Sequence, residues 1–254
     1  MFDKLKSFFS RGDEQVSHTR VFSIPENTRV YAVGDIHGRY DLLLECLEKI
    51  DRDASAFEGD VFEVFLGDYV DRGPQSAEVV KALASGQSGS RTRICLKGNH
   101  EEMLMQCLRD PHSLHEWLNY GGRETLASYG INVSGGDISR DLESIHSQLL
   151  DAVAGAPRAF FERLESSFEL GDYYFVHAGI KPKRKLNEQA DADRLWIREE
   201  FLQYSGYHPK RVVHGHTPVS DPEVLPNRIN LDTGAYATNN LVVLVLEGSS
   251  ERFL

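Results

Sequence analysis

Cysteine is scarce: Cys46, Cys95 and Cys107 are the only three, and no two form a CxxC pair. That speaks against a thiolate zinc site and a disulfide framework, and it suits a reducing compartment. No apolar run approaches the roughly 18 residues that a membrane-spanning helix needs. The N-terminal MFDKLKSFFSRGDEQ lacks the continuous apolar stretch and small-residue cleavage site of a secretory leader. Basic side chains are outnumbered, 28 against 39 acidic ones, and a net charge of −11 argues against a general nucleic-acid binder. What is there is ample apolar material: 41% of the 254 residues are hydrophobic, enough for one sizeable α/β domain. The expectation is an acidic, soluble, cytoplasmic protein.

Residues 1–27 read as an arm ahead of a single domain over 28–254. Phe2, Leu5, Phe8 and Phe9 recur at roughly helical spacing, with Lys4, Lys6 and Arg11 opposite. A short amphipathic helix of this kind would pack on the body or on a second copy of the chain, which makes a homo-oligomer through the arm conceivable. The body then alternates apolar strands and helices: RVYAVGDIHG, YDLLLECLEKI, DVFEVFLGDYVDRG, SAEVVKALAS, RTRICLKGNHE, EEMLMQCLRD. Such alternation predicts βαβ units and a largely parallel first sheet. A helical insertion is expected over about 102–170, free of strands from about Pro111 to Leu170. YYFVHAGI, KRVVHGHTPV, RINLDTGAY and LVVLVLE then read as a second, mixed sheet packed on the first.

Five motifs stand at strand ends: Gly34-Asp35-Ile36-His37-Gly38, Gly67-Asp68-Tyr69-Val70-Asp71-Arg72-Gly73, Gly98-Asn99-His100-Glu101, His177-Ala178-Gly179 and Gly215-His216-Thr217. Together they offer Asp35, His37, Asp68, Asn99, His177 and His216 as oxygen and nitrogen donors. This set suits divalent first-row metals such as manganese, iron or zinc, and neither a thiol site nor an all-oxygen calcium cage. One Gly-Asp pair marks a turn in many proteins. Five motifs in this order, each after an apolar strand, need a common explanation.

GDIHG, GDYVDRG, GNHE, HAG and GH-T, in that order, resemble the phosphoprotein phosphatase family of dinuclear calcineurin-like metallophosphoesterases. The match runs from about Tyr31 to Leu246 and is nearest the compact bacterial and phage-type Ser/Thr branch; RLWIREEF after HAGIKP supports it. The resemblance implies an α/β fold, a central β-sandwich flanked by helices in four α/β/β/α layers. It also implies two divalent ions, manganese first with iron or zinc as alternatives. Asp35 and His37 would bind the first metal, Asp68 would bridge, and Asn99, His177 and His216 would complete the second. His214 falls outside this pattern. A hydroxide bridging the metals would attack phosphorus directly.

On the same resemblance His100 is the general acid, Asp71 orients it, Arg72 clamps the phosphate, and Arg198 is a second clamp. Tyr236 resembles a tyrosine near the site in some members, and Arg123 could face substrate. The implied activity is a phosphomonoesterase acting on phosphorylated protein or peptide side chains, Ser/Thr first and Tyr as a further substrate, with small aryl phosphates as test substrates. The alternative is a dinucleoside polyphosphate hydrolase of the diadenosine tetraphosphatase type. The symmetrical members of that type share most motifs but typically carry a non-acidic residue where this chain has Asp71. A third reading, a scaffold that binds phosphorylated partners without turnover, fits poorly with an intact set of ligands and acid.

Overall fold

The computed structural model describes residues 20–85, 91–133, 135 and 138–254. The amphipathic stretch Phe2–Phe9 lies outside the described residues. In chain order the elements are β1 (Thr28–Val33), α1 (Tyr40–Ala54), β2 (Asp60–Phe65), α2 (Ser76–Ala84), β3 (Thr92–Cys95) and α3 (Asn99–Cys107). Four further helices follow: α4 (Leu114–Trp117), α5 (Gly122–Ser128), α6 (Leu142–Ala152) and α7 (Ala156–Glu162). The last third holds β4 (Phe168–Leu170), β5 (Tyr173–Phe175), α8 (Asp191–Trp196), α9 (Glu199–Leu202), β6 (Arg211–His214), β7 (Glu223–Val224), β8 (Arg228–Asn230), α10 (Ala235–Thr238), β9 (Val243–Glu247) and β10 (Ser250–Phe253).

Two five-stranded sheets, ordered β10-β9-β1-β2-β3 and β4-β5-β6-β8-β7, face each other. Side chains alternate across a strand, so each buried strand serves two cores. Val30, Ala32, Leu244 and Leu246 point inward to meet Phe175, Val213 and Ile229 of the opposite sheet. Tyr31, Val33, Val243 and Val245 point the other way, against Leu43 and Ile50 of α1 and Val79 and Val80 of α2. Beyond the second sheet, Tyr174 and Val212 pack on Phe201 of α9. The result is the four-layer α/β/β/α sandwich. No helix among the described residues is long and apolar enough to cross a membrane.

Three details differ from the sequence reading. LVVLVLE, assigned above to the second sheet, supplies β9, which pairs antiparallel with β1 in the first. Its two faces are both apolar, so the pattern fits a buried strand in either sheet; pairing with β1 decides. The first sheet is therefore mixed, parallel from β1 to β3 and antiparallel beyond β1. The insertion is not strand-free either: Phe168–Leu170 forms β4 against β5, because Phe168 and Leu170 pack on the inter-sheet core. Finally, part of the stretch grouped with the arm lies on the body. Phe22 and Ile24 are buried in the inter-sheet core, and the Ile24 N–H donates to the Gly248 carbonyl at 3.0 Å.

Leu244 is fully buried between the sheets. Leu244→Ala should cost about 2–5 kcal/mol in denaturant unfolding; a loss below about 1 kcal/mol would contradict its place in that core.

Candidate metal centre

Strands β1, β2 and β3 run parallel in one sheet, and β5, β6 and β8 run parallel in the other. The loops after β1, β2, β3, β5 and β6 therefore leave their sheets at carboxyl ends, where ligands collect in parallel sheets. These are the five motif loops. Backbone bonds join them: the Ile36 and His37 N–H groups donate to the Asp68 carbonyl at 3.1 and 2.8 Å, and the Gly215 N–H donates to the His177 carbonyl at 2.8 Å. The His216 N–H donates to Asp35 Oδ2 at 3.0 Å and so ties the two sheets together.

Turning these side chains to one point requires unusual backbone. Of eight non-glycine residues with positive φ among those described, five are here: His37, Asp68, Asp71, Arg72 and His216, at φ between 46° and 74°. Such a left-handed residue costs on the order of 1–3 kcal/mol and persists only where its surroundings enforce it, and clusters of them mark functional sites. Glu101 does the enforcing after β2. Its carboxylate accepts from the N–H groups of Asp68 (2.8 Å), Tyr69 (2.7 Å), Val70 (3.3 Å) and Gly98 (2.9 Å). Two glycines permit the close approach: a Cβ on Gly98 would fall 2.2 Å from Asp68 Oδ1, and one on Gly215 would fall 2.0 Å from Asp35 Oδ1.

All six residues read as metal donors are buried and brought together. Asp68 Oδ2 lies 3.4 Å from His37 Nε2, and Asp68 Oδ1 lies 3.4 Å from His177 Nε2. One carboxylate thus faces two donor sets with different oxygens. Ligand atoms of His37, Asp68 and His100 converge within 4.8 Å, and so do those of Asp68, His177 and His216. Asn99 Oδ1 joins the second set, 2.9 Å from His177 Nε2 and 2.8 Å from His216 Nδ1. Asp35 stands beside them, its Oδ1 buried and without a hydrogen-bond partner among the described residues.

The electrostatics fit cations. Burial drives the His37 pKa down to about 3 and His216 to about 2, and lowers that of His177. Neutral imidazoles present lone pairs. His37 Nδ1 faces the Val70 carbonyl at 2.9 Å and His177 Nδ1 faces that of Leu66 at 3.0 Å, which places the proton on Nδ1 and leaves each Nε2 free to ligate. Burial and the neighbouring Asp232 and Asp68 raise the Asp35 carboxyl well above its usual range. Burial and Asp68 likewise push Asp232 up to about 6. Buried carboxylates that repel one another, an orphaned Asp35 oxygen and inward-facing imidazole nitrogens are what divalent cations relieve.

Beside this set, His100 Nδ1 donates to Asp71 Oδ2 at 2.6 Å, and its Nε2 lies 3.1 Å from Arg72 Nη2. Burial lowers the His100 pKa, but Asp68 and Asp71 outweigh it and hold the imidazole above its ordinary value. Asp71 is fully buried and itself held by the insertion: Trp117 Nε1 donates to Oδ2 at 2.8 Å and Thr125 Oγ1 to Oδ1 at 2.6 Å. Arg72 also lies over the Tyr236 ring, 4.9 Å from its centroid, and Tyr236 meets His37 edge-on at 5.5 Å. Arg198 is exposed at the rim, its Nη1 donating to Thr217 Oγ1 at 3.1 Å beside His216. His214 turns away from the cluster and packs edge-on against Phe201 at 4.9 Å.

Sequence reasoning gave no role to Glu101, Trp117, Thr125 or Asp232. Glu101 carried a signal, an acid at the third position of a helix that opens on Gly98. Trp117 and Thr125 carried none, being 46 and 54 residues from Asp71.

Two outcomes follow from this geometry. Manganese bound after loading and desalting, measured by atomic emission, should be about two equivalents for the wild type, about one for His216→Ala and close to none for Asp68→Ala. An Asp68→Ala protein that keeps both would remove the shared carboxylate. Trp117→Phe should retain manganese yet lower kcat by about 10-fold or more through the loosened Asp71; wild-type kcat would mean that the Trp117 bond does not serve His100.

The calcineurin-like phosphoesterase family model matches residues 28–246. The chain is 26% identical over 233 residues to the bis(5'-nucleosyl)-tetraphosphatase PrpE (asymmetrical) of Bacillus velezensis, spanning 82% of this chain and 85% of that protein. It is 27% identical over 221 residues to serine/threonine-protein phosphatase 2 of Escherichia coli, spanning 81% and 87%. A solved structure described provisionally as a diadenosine tetraphosphatase superposes with a TM-score of 0.59 at 20% identity, covering 92% of this chain and 98% of that one, a likeness of fold. The chain belongs to the calcineurin-like phosphoesterase family, hydrolases built around a dinuclear metal centre.

Proposed function

We propose that the chain is a phosphomonoesterase that removes phosphate from phosphorylated protein side chains, serine and threonine foremost and tyrosine as a further substrate. The observation that carries this reading is the 2.6 Å bond from His100 Nδ1 to Asp71, a carboxylate itself held by Trp117 and Thr125. The alkoxide that leaves from a serine or threonine phosphate is a strong base and departs only if protonated. A polyphosphate leaves as a phosphate, a far weaker base that needs no acid. A buried, four-member device that positions one imidazole nitrogen is therefore suited to the harder leaving group. The phosphatase name of the Escherichia coli relative supports the same reading.

Asp35 and His37 would hold one cation, Asn99, His177 and His216 the other, and Asp68 would serve both. When bound, two divalent ions supply Lewis acidity toward water and toward the phosphate oxygens. Imidazole, carboxylate and amide donors suit manganese, with iron and zinc close behind. Arg72 presents its guanidinium fork to the phosphate from beside His100, and Arg198 adds charge from the rim. In this structure Arg72 Nη2 donates to His100 Nε2; once the guanidinium turns to the phosphate, a proton held on Nε2 goes to the departing oxygen, while Asp71 on Nδ1 fixes the ring and stabilises its positive form. The strained turns at Asp68, Asp71 and Arg72 keep these groups in place before substrate arrives, so little reorganisation is needed at the chemical step.

A second reading is hydrolysis of a dinucleoside polyphosphate, favoured by the name of the Bacillus velezensis relative. That relative is of the asymmetrical type, so the Asp71 comparison, which concerns the symmetrical type, does not bear on it. Assays of phosphoserine, phosphothreonine and phosphotyrosine peptides and of diadenosine tetraphosphate, with manganese present, separate the two. Peptide turnover that falls about 100-fold in His100→Asn, with metals retained, is expected. Exclusive cleavage of the dinucleotide would overturn the proposal.

A further inference from the structure

The 3-10 turn Leu118–Tyr120, the first residues of α5 and the ring of Tyr236 line a shallow, open groove of about 490 Å³ whose inner wall is Arg72. Arg72 and Tyr236 connect it to the metal centre through His100 and His37. Arg72 faces His100 on one side and lies over Tyr236 on the other, and the Arg72 N–H donates to the Gly121 carbonyl at 3.2 Å, which fixes the groove floor to the phosphate clamp. The volume falls within the range of binding sites for small ligands or short peptide segments. Tyr120 and Tyr236, 45% and 39% exposed, form its walls.

Arg123 lines this groove and is half-buried. Apart from Arg72, which meets His100 and the Tyr236 ring, the half-buried or buried arginines elsewhere in the fold hold a carboxylate: Arg29 pairs with Asp53, Arg93 with Glu63, Arg194 with Asp191, and Arg228 with Glu223. Arg123 has no hydrogen bond or ion pair to any described residue. Its neighbour Glu124 is exposed, and adjacent side chains on a helix diverge, so it is poorly placed to serve. A guanidinium partly withdrawn from water, unpaired, and opening on a groove next to a phosphate site is complementary to an anion.

We infer that this groove binds a second negatively charged group of the substrate, carried near the phosphate to be removed, with Arg123 as the residue that recognises it. This rests on the phosphoprotein reading, on which the group is an aspartate, glutamate or second phosphorylated side chain flanking the target residue. Tyr120 and Tyr236 then supply apolar contact to the intervening peptide. Specificity for sequence context comes from the helical insertion, while the metal centre reads only the phosphate.

The test compares kcat/KM for phosphoserine peptides that differ only in flanking residues, acidic against neutral, with turnover of an aryl phosphate to normalise for active enzyme. Wild type should favour the acidic flank by about tenfold. Arg123→Gln should bring the ratio to about one, Arg123→Glu should reverse it, and Arg123→Lys should restore part of it. Because Arg123 has no hydrogen bond or ion pair to any described residue, these variants are not expected to unfold; bound manganese checks this. A wild-type ratio near one, or a preference that survives Arg123→Glu, overturns the inference. If only diadenosine tetraphosphate is cleaved, the phosphoprotein reading falls by itself. The groove is then judged on the distal phosphates of that substrate. A severalfold drop of dinucleotide over aryl phosphate kcat/KM in Arg123→Gln upholds the anion site, and an unaltered ratio overturns it.

Discussion

Asp68 is held where each of its two oxygens faces a different set of imidazoles, Oδ2 toward His37 and Oδ1 toward His177. Everything else in the site serves that position. Its left-handed backbone is kept in place by Glu101, which gathers four N–H groups from two loops, and by Gly98, which lets the loop after β3 come within contact of the Asp68 carboxylate. His37 comes from the same sheet and His177 from the opposite one, so the carboxylate bridges the two halves of the sandwich. The sheets must pack with their carboxyl ends in register for that to happen, and the apolar layer built on residues such as Val30, Leu244, Phe175 and Ile229 provides the packing. Core and site are parts of one construction.

Total charge conceals the local field. A chain of net −11 would be expected to repel phosphate, and the buried carboxylates Asp35, Asp68 and Asp232 sharpen the difficulty. Two divalent cations would bring about +4 to their centre and turn the site attractive. Arg72 beside His100 and Arg198 at the rim add positive charge of the chain's own. The neutral state that burial imposes on His37, His177 and His216 belongs to the same design, since a protonated imidazole cannot ligate a metal.

Much of this is legible in the chain because its chemistry is local. Each motif follows its own strand, so Asp35, His37, Asp68, Asn99, His177 and His216 could be named from short windows. His214 shares a tripeptide with His216, yet it is the last residue of β6 and follows Val212 onto Phe201, whereas His216 lies past the strand in a left-handed turn. What escapes is long-range. The sheet to which LVVLVLE belongs depends on β1, more than two hundred residues earlier. β4 is only three residues long and exists because β5 and the inter-sheet core accept it. Trp117 reads as one more apolar helix position, and only the fold shows its indole N–H aimed at Asp71.

Anomalous diffraction from crystals grown with manganese tests the shared carboxylate most directly. Two peaks about 3.5–4 Å apart, with Asp68 between them and one of its oxygens toward each, are the predicted result. A single peak, or two peaks of which only one touches Asp68, would contradict it.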